Sequence, residues 1–257
     1  MSLSSTTQGF LSEVESSTGL RVVVEEDPRL QAPLLAKVQI ARRGIPFHRV
    51  SYHPTAQGMA DYLVCYQCAF VLRLHSLPSA ERFDLMDNPV AQEDCLAWAK
   101  THTAFAALPA DDQGSFARFL STSLISMVRS VPVGLWVDQD LRTRFPELRA
   151  AQEQAIRRQV ETQSRVLAPE VRQNIPTPAL RVNCALNAAF AKVWARELNE
   201  PGWCLPYLVD GSAAAGDALL EILEGLLPMP SNDRRLIQAW ADHLGFGHWL
   251  HWTQYSP

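Results

Sequence analysis

The sequence predicts an α+β protein in which helix predominates. An N-terminal region of helix and sheet packs on a C-terminal half that is helical throughout. Three observations predict this. Strand-like segments rich in β-branched residues cluster before residue 54. Apolar residues recur at helical spacing from residue 59 onward. After residue 110 no convincing pair of strand-like segments is left to build a further sheet. The two regions are drawn as 1–110 and 111–257, closely packed, because both are dense in apolar residues and no low-complexity linker divides them.

The elements follow in order. FLSEVESSTG, 10–19, reads as a short helix ended by Gly19, whose backbone tolerates the left-handed conformation of a helix stop. LRVVVEE (20–26), LLAKVQIARR (34–43) and FHRVSYHP (47–54) read as strands, separated by turn chemistry at Asp27-Pro28 and Gly44-Ile45-Pro46. From 59 to 74 the period changes. Met59, Tyr62, Leu63, Tyr66, Ala69 and Phe70 repeat at helical spacing, while Val64, Cys65, Cys68, Val71 and Leu72 fill the opposite side. A helix apolar all round is a buried one, and the preceding strands supply a sheet to bury it against. Residues 90–109 form the next helix, closed by Pro109. Helices are expected at 112–130, 146–167, 179–199, 216–227 and 232–246, with prolines marking the loops between them. In the second of these Leu148, Ala151, Ala155, Ile156 and Val160 make the apolar stripe.

The bulk numbers narrow the function classes. The chain has 257 residues, 47% of them hydrophobic and 19% charged, which is the composition of a folded globular protein. A net charge of −4 and a pI of about 6.0 give no broad attraction to nucleic acid or anionic lipid. The basic run at 157–165 reads as a solvated helix face. The first residues lack a secretory signal, and no apolar run reaches the roughly 18–20 residues of a membrane span. Five cysteines without framework spacing suit reduced thiols in a cytoplasm. No nucleotide-binding glycine loop and no G-x-S-x-G nucleophile motif is present, and no cofactor is expected.

ADYLVCYQCAFVLRLH, 60–75, concentrates the candidate chemistry. Cys65 and Cys68 form a C-x-x-C, but redox pairs of this kind work at an exposed helix N-terminus, not mid-helix among apolar neighbours. Zinc would need about two further ligands, for which Cys95 and His75 are loose candidates. Packing is the simpler role. Read one residue along, Tyr66, Gln67 and Phe70 stand at the spacing of His-Glu-x-x-His, which in a zincin sets two imidazoles on one helix face with a glutamate beside the metal-bound water.

The next segment, QEDCLAWAKTHTAFAALP, resembles the E-x-x-A-x-x-F-A helix ending near Leu-Pro of the ImmA/IrrE-type zincin-like metallopeptidase family. Glu93 matches that family's glutamate. Leu96 stands where alanine is usual, Ala97 comes one residue late, and Trp98-Ala99 matches Phe-Ala. The resemblance covers about residues 10–110 and implies a zincin-like scaffold. Tyr66 and Phe70 cannot replace two neutral imidazoles on zinc, and the amide of Gln67 cannot accept a proton from water.

Two functions are therefore expected. The first is a non-catalytic, bacterial-type cytoplasmic protein with a degenerate peptidase-like site, acting through contact with a protein partner. The second is a metal-dependent hydrolase with a non-standard site from His48, His53 and Glu93, with Cys65 or Cys68 as further groups. At the C-terminus His243, His248 and His251 lie beside Trp249 and Trp252, but Gly245 and Gly247 interrupt any single helix that could aim them at one point. That aromatic cluster is expected to pack.

Overall fold

A computed structural model describes residues 3–30, 34–42, 44–86 and 88–256. The architecture is α+β and mostly helical, as expected, and the chain divides into two compact units that do not follow the sequence in two blocks. One unit takes the chain up to Asp84, then Trp136–Gln159 and the end from Gln254; the other takes Leu85–Leu135 and Val160–Thr253. The expected boundary near residue 110 lies inside the second unit.

In the first unit, helix α1 (Ser5–Thr18) starts at Ser4, whose hydroxyl accepts the Thr7 N–H, and stops at Gly19, with φ at 70°. Its buried stripe is Thr7, Phe10 and Val14. Strands β1 (Arg21–Glu26), β2 (Ala36–Gln39) and β3 (Phe47–Tyr52) make one sheet in the order β1–β3–β2. β1 runs parallel to β3 and β2 antiparallel to it, with Val22 beside His48 and both Val24 and Val38 beside Val50. Alternation along β3 puts His48, Val50 and Tyr52 on one buried face. Helix α2 (Ala60–Ser76) packs against this face and against α1. The buried helix expected at 59–74 is present, and only Ser76 within it is exposed. Asp61, in its first turn, accepts bonds from the Ser4 N–H and the Thr7 hydroxyl, joining the starts of α1 and α2.

Two short strands were not anticipated: β4 (Phe83–Met86) and β5 (His251–Gln254), which pair as a separate ribbon. The C-terminal half is therefore not wholly helical. Four-residue strands carry too little alternation to stand out from a loop.

Helix α3 (Pro89–Thr101) and the short α4 (Thr103–Ala106) replace the single helix expected at 90–109. His102 breaks it: its backbone is extended and its ring accepts the Ala104 N–H as a cap. The helix expected at 112–130 is only the first part of α5 (Ala110–Arg144), which continues through Pro132. Proline has no N–H for the Val128 carbonyl, but the buried run from Pro132 to Asp138 secures the helix beyond it. α5 is long and apolar enough to cross a membrane by length and composition, although Arg118, Arg129 and Asp138 interrupt its apolar run. Of that window 56% is buried inside the protein, as in a core helix.

α6 (Arg149–Ser164) follows a single turn at Pro146–Leu148. Then come α7 (Pro169–Arg172), α8 (Thr177–Glu197), α9 (Leu205–Asp210), α10 (Ala213–Glu224) and α11 (Asp233–His243). α8 is the core helix of the second unit, buried along most of its length. α10 lies close against it where Gly216 meets Ala188.

Candidate functional site

Helix α2 holds the residues at the zincin spacing. Tyr62, Tyr66 and Phe70 follow one another at i+4 and form a ladder of rings, with centroids 5.8 Å and 5.2 Å apart. Burial pushes the Tyr66 phenol well above its ordinary pKa, so it stays a neutral ring. Gln67 is half-buried, and its amide donates to the Ala36 carbonyl at 3.4 Å. Tyr66 and Phe70 are thus engaged with rings of their own helix, and Gln67 ties α2 to β2. None supplies a lone pair suited to zinc or a base for water.

The C-x-x-C lies in the same helix. Cys65 donates to the Thr7 hydroxyl at 3.7 Å, and burial pushes its thiol up to about 12. Burial raises the Cys68 thiol also. Both therefore stay protonated at neutral pH, the opposite of an activated nucleophile. All five cysteines are free. His75 lies seven residues beyond Cys68. Among the described residues no three His, Cys, Asp or Glu side chains are arranged to hold a metal ion.

Among the described residues His48, His53 and Glu93 belong to no group that could hold a metal ion. His48 is fully buried on β3, while His53 lies just beyond the end of that strand and is half-buried. His53 caps the turn at Pro54–Met59, its Nδ1 accepting the Thr55 N–H. Glu93 is exposed on α3 and belongs to the second unit.

The structure instead pairs one histidine from each candidate set. His48 and His75 stand edge to face with ring centroids 5.3 Å apart, and the Tyr255 ring lies 5.8 Å from that of His75. His48 Nδ1 accepts the Ala41 N–H at 3.1 Å, and the Tyr255 hydroxyl donates to the Ala41 carbonyl. The Nε2 atoms of both imidazoles are buried and have no hydrogen-bond partner among the described residues. Burial lowers the pKa of both rings, that of His75 to about 4, with Arg82 and His48 adding to the effect.

A second buried cluster escaped the sequence reading. Asp138 on α5 is 2% exposed, accepts the Tyr62 hydroxyl at 2.5 Å and receives the Gln152 amide at both its carboxylate and its carbonyl. Burial pushes its carboxyl up to about 7, against the two hydrogen bonds, which lower it. The signal in the sequence is an acid at the end of the apolar run 131–138.

The C-terminal aromatic residues pack. Trp249 is fully buried, 5.1 Å from both Trp98 and Phe246 by ring centroids, and its indole N–H donates to Asp94 at 2.8 Å. His248 reaches the same Asp94 oxygen at 2.9 Å. The two bonds hold the Asp94 carboxyl below its usual range. Trp252 donates to Gln238 at 2.7 Å. Asp94, the neighbour of the residue suggested by the resemblance, is thus the acid that anchors this end of the chain. Comparison with known proteins finds no family model that matches this chain, and no curated protein or solved structure that does.

Proposed function

We propose that this is a non-catalytic protein that acts by binding another protein, on a scaffold of zincin-like descent whose metal ligands have been exchanged for packing. The observation that carries this is the state of α2. Tyr66 and Phe70 meet edge to face, and Gln67 is committed to the Ala36 carbonyl. A helix that served a metal would keep those positions open toward a reacting water. The high thiol pKa values of the cysteines and the neutral His48–His75 pair add no nucleophile. Five free thiols agree with a reducing cytoplasm.

For contact with a partner, α9 offers Leu205, Leu208 and Val209, exposed by 59%, 58% and 90% at i, i+3 and i+4 spacing. Such a stripe is the helix face that partner grooves recognise.

Metal analysis of the purified protein, with a peptidase assay across added zinc, tests the reading. No stoichiometric zinc and no activity are expected. Zinc bound one to one, and lost when His48, His53 or Glu93 is changed, would establish a hydrolase instead. The triple variant Tyr66→His, Gln67→Glu, Phe70→His tests the ancestry separately. Zinc-dependent stabilisation of that variant, absent in the parent, is the expected result.

A further inference from the structure

The His48–His75 pair plays no part in that function, and its arrangement is unusual for a structural pair. Ala41 is buried, and side chains take both of its backbone polar groups: His48 Nδ1 its N–H and the Tyr255 hydroxyl its carbonyl. The first bond fixes the tautomer. A nitrogen that accepts the Ala41 N–H must offer its lone pair, so the neutral ring carries its proton on Nε2. That N–H has no acceptor among the described residues, and it has no lone pair to give a metal.

The charged and titratable groups around the pair come from every neighbouring element. Arg82, after α2, donates to the His75 and Leu77 carbonyls. Arg42, in the turn beyond Ala41, pairs with Asp84 on β4 at 2.6 Å. Tyr255 comes from the C-terminus, and its N–H donates to the Arg82 carbonyl. Glu15 on α1 is occupied by the Val22 N–H, and Glu26 on β1 by the Tyr52 hydroxyl. Among the described residues no carboxylate bonds to either imidazole, and the charge that acts on His75 is that of Arg82.

We infer that the His48–His75 pair is a proton-operated latch that holds Ala41 and the C-terminal Tyr255 when neutral and releases them in acid. A proton can enter His48 only at Nδ1, the atom that holds the Ala41 N–H. Uptake therefore breaks that bond and sets two N–H donors against each other. A proton on His75 instead places a cation on the ring of His48 and beside Arg82. Either event turns Ala41 out of its seat, and the Tyr255 hydroxyl loses the carbonyl it holds. The lowered pKa values of both rings give the direction: an imidazole in the released chain titrates near its ordinary 6.5, that of His75 in the closed latch near 4. The latch is complete above about 6.5 and weakens as pH falls toward 4.

Amide hydrogen exchange on the full chain between pH 7 and 4.5, corrected for intrinsic exchange, reads the latch locally. Global stability is the wrong readout, because buried Asp138 in the same unit shifts it with the opposite sign. The opening equilibrium of the Ala41 and Tyr255 amides is expected to rise by up to about tenfold per pH unit per proton taken up. The Val50 amide, in the middle of β3, should keep its protection. His48→Gln offers a non-titrating oxygen to the Ala41 N–H and should flatten the response. The imidazole NMR signals of the parent give a second measurement that needs no variant: His75 should remain neutral at pH 5.5, and His48 should titrate below its ordinary 6.5. An Ala41 opening equilibrium independent of pH, an unchanged slope in folded His48→Gln, or either imidazole titrating near 6.5 in the native protein would overturn the latch.

Discussion

Replacing Gly216 by alanine separates helix propensity from packing. Gly216 lies inside α10, and a Cβ built there would stand 2.8 Å from Ala188 Cβ and 3.0 Å from the Ala189 backbone nitrogen. Alanine in a helix interior is favoured over glycine by about 1 kcal/mol. Against that, forcing a methyl into a closed contact costs ~1–3 kcal/mol. The opposing atoms are a Cβ and backbone of the buried helix α8, so no flexible side chain can swing aside. The two effects leave a net loss of up to about 2 kcal/mol, with packing outweighing propensity. Gly9 is the internal control. It lies exposed within α1, and nothing stands within 4 Å of its would-be Cβ. Gly9→Ala should therefore gain up to about 1 kcal/mol. Urea denaturation followed by circular dichroism reads both: a lower midpoint at unchanged slope for Gly216→Ala, a higher one for Gly9→Ala. A Gly216→Ala protein stabilised as much as Gly9→Ala would refute the close approach of α8 and α10.

The other expectations are these. In native protein a thiol reagent at pH 8 should label Cys204 first, since it alone among the five cysteines is only half-buried; rapid labelling of Cys65 or Cys68 would contradict the burial of α2. Trp249→Phe removes the indole bond to Asp94 and part of a fully buried ring, and should lower stability by about 2 kcal/mol in chemical denaturation. The Asp138 carboxyl is raised from 3.8 to about 7, so it is protonated in the fold at mildly acidic pH. Its contribution to stability is complete below about 3.8 and is lost as pH rises through 7. Asp138→Asn keeps an oxygen for Tyr62 and cannot ionise, so its unfolding midpoint should fall less than the parent's between pH 4 and 8. An identical pH profile would show that Asp138 does not titrate in that range.

Local pattern by itself determined much of the fold. The all-round apolar period at 59–74 requires a buried helix wherever that helix is placed, because no face of it can meet water without cost. Turn residues and β-branched runs located β1, β2 and β3, and Gly19 marked the end of α1. These signals act over a few residues and so are written in a few residues. The tertiary structure decided the rest. α5 runs on through Pro132 because burial of 132–138 outweighs one lost backbone bond, and propensity alone cannot weigh the two. β4 and β5 are four residues each and are strands only because they pair across some 165 positions of sequence. The sequence offered His48 with His53, and His75 with the cysteines. The register of β3 and the seating of α2 bring His48 to His75 and leave the other partners aside. Ala41, Tyr255 and Asp138 carried no motif at all. Their roles exist only where a buried backbone amide, a chain end and a lone carboxyl must each find a hydrogen-bond partner, and that need arises from burial, which sequence spacing does not encode.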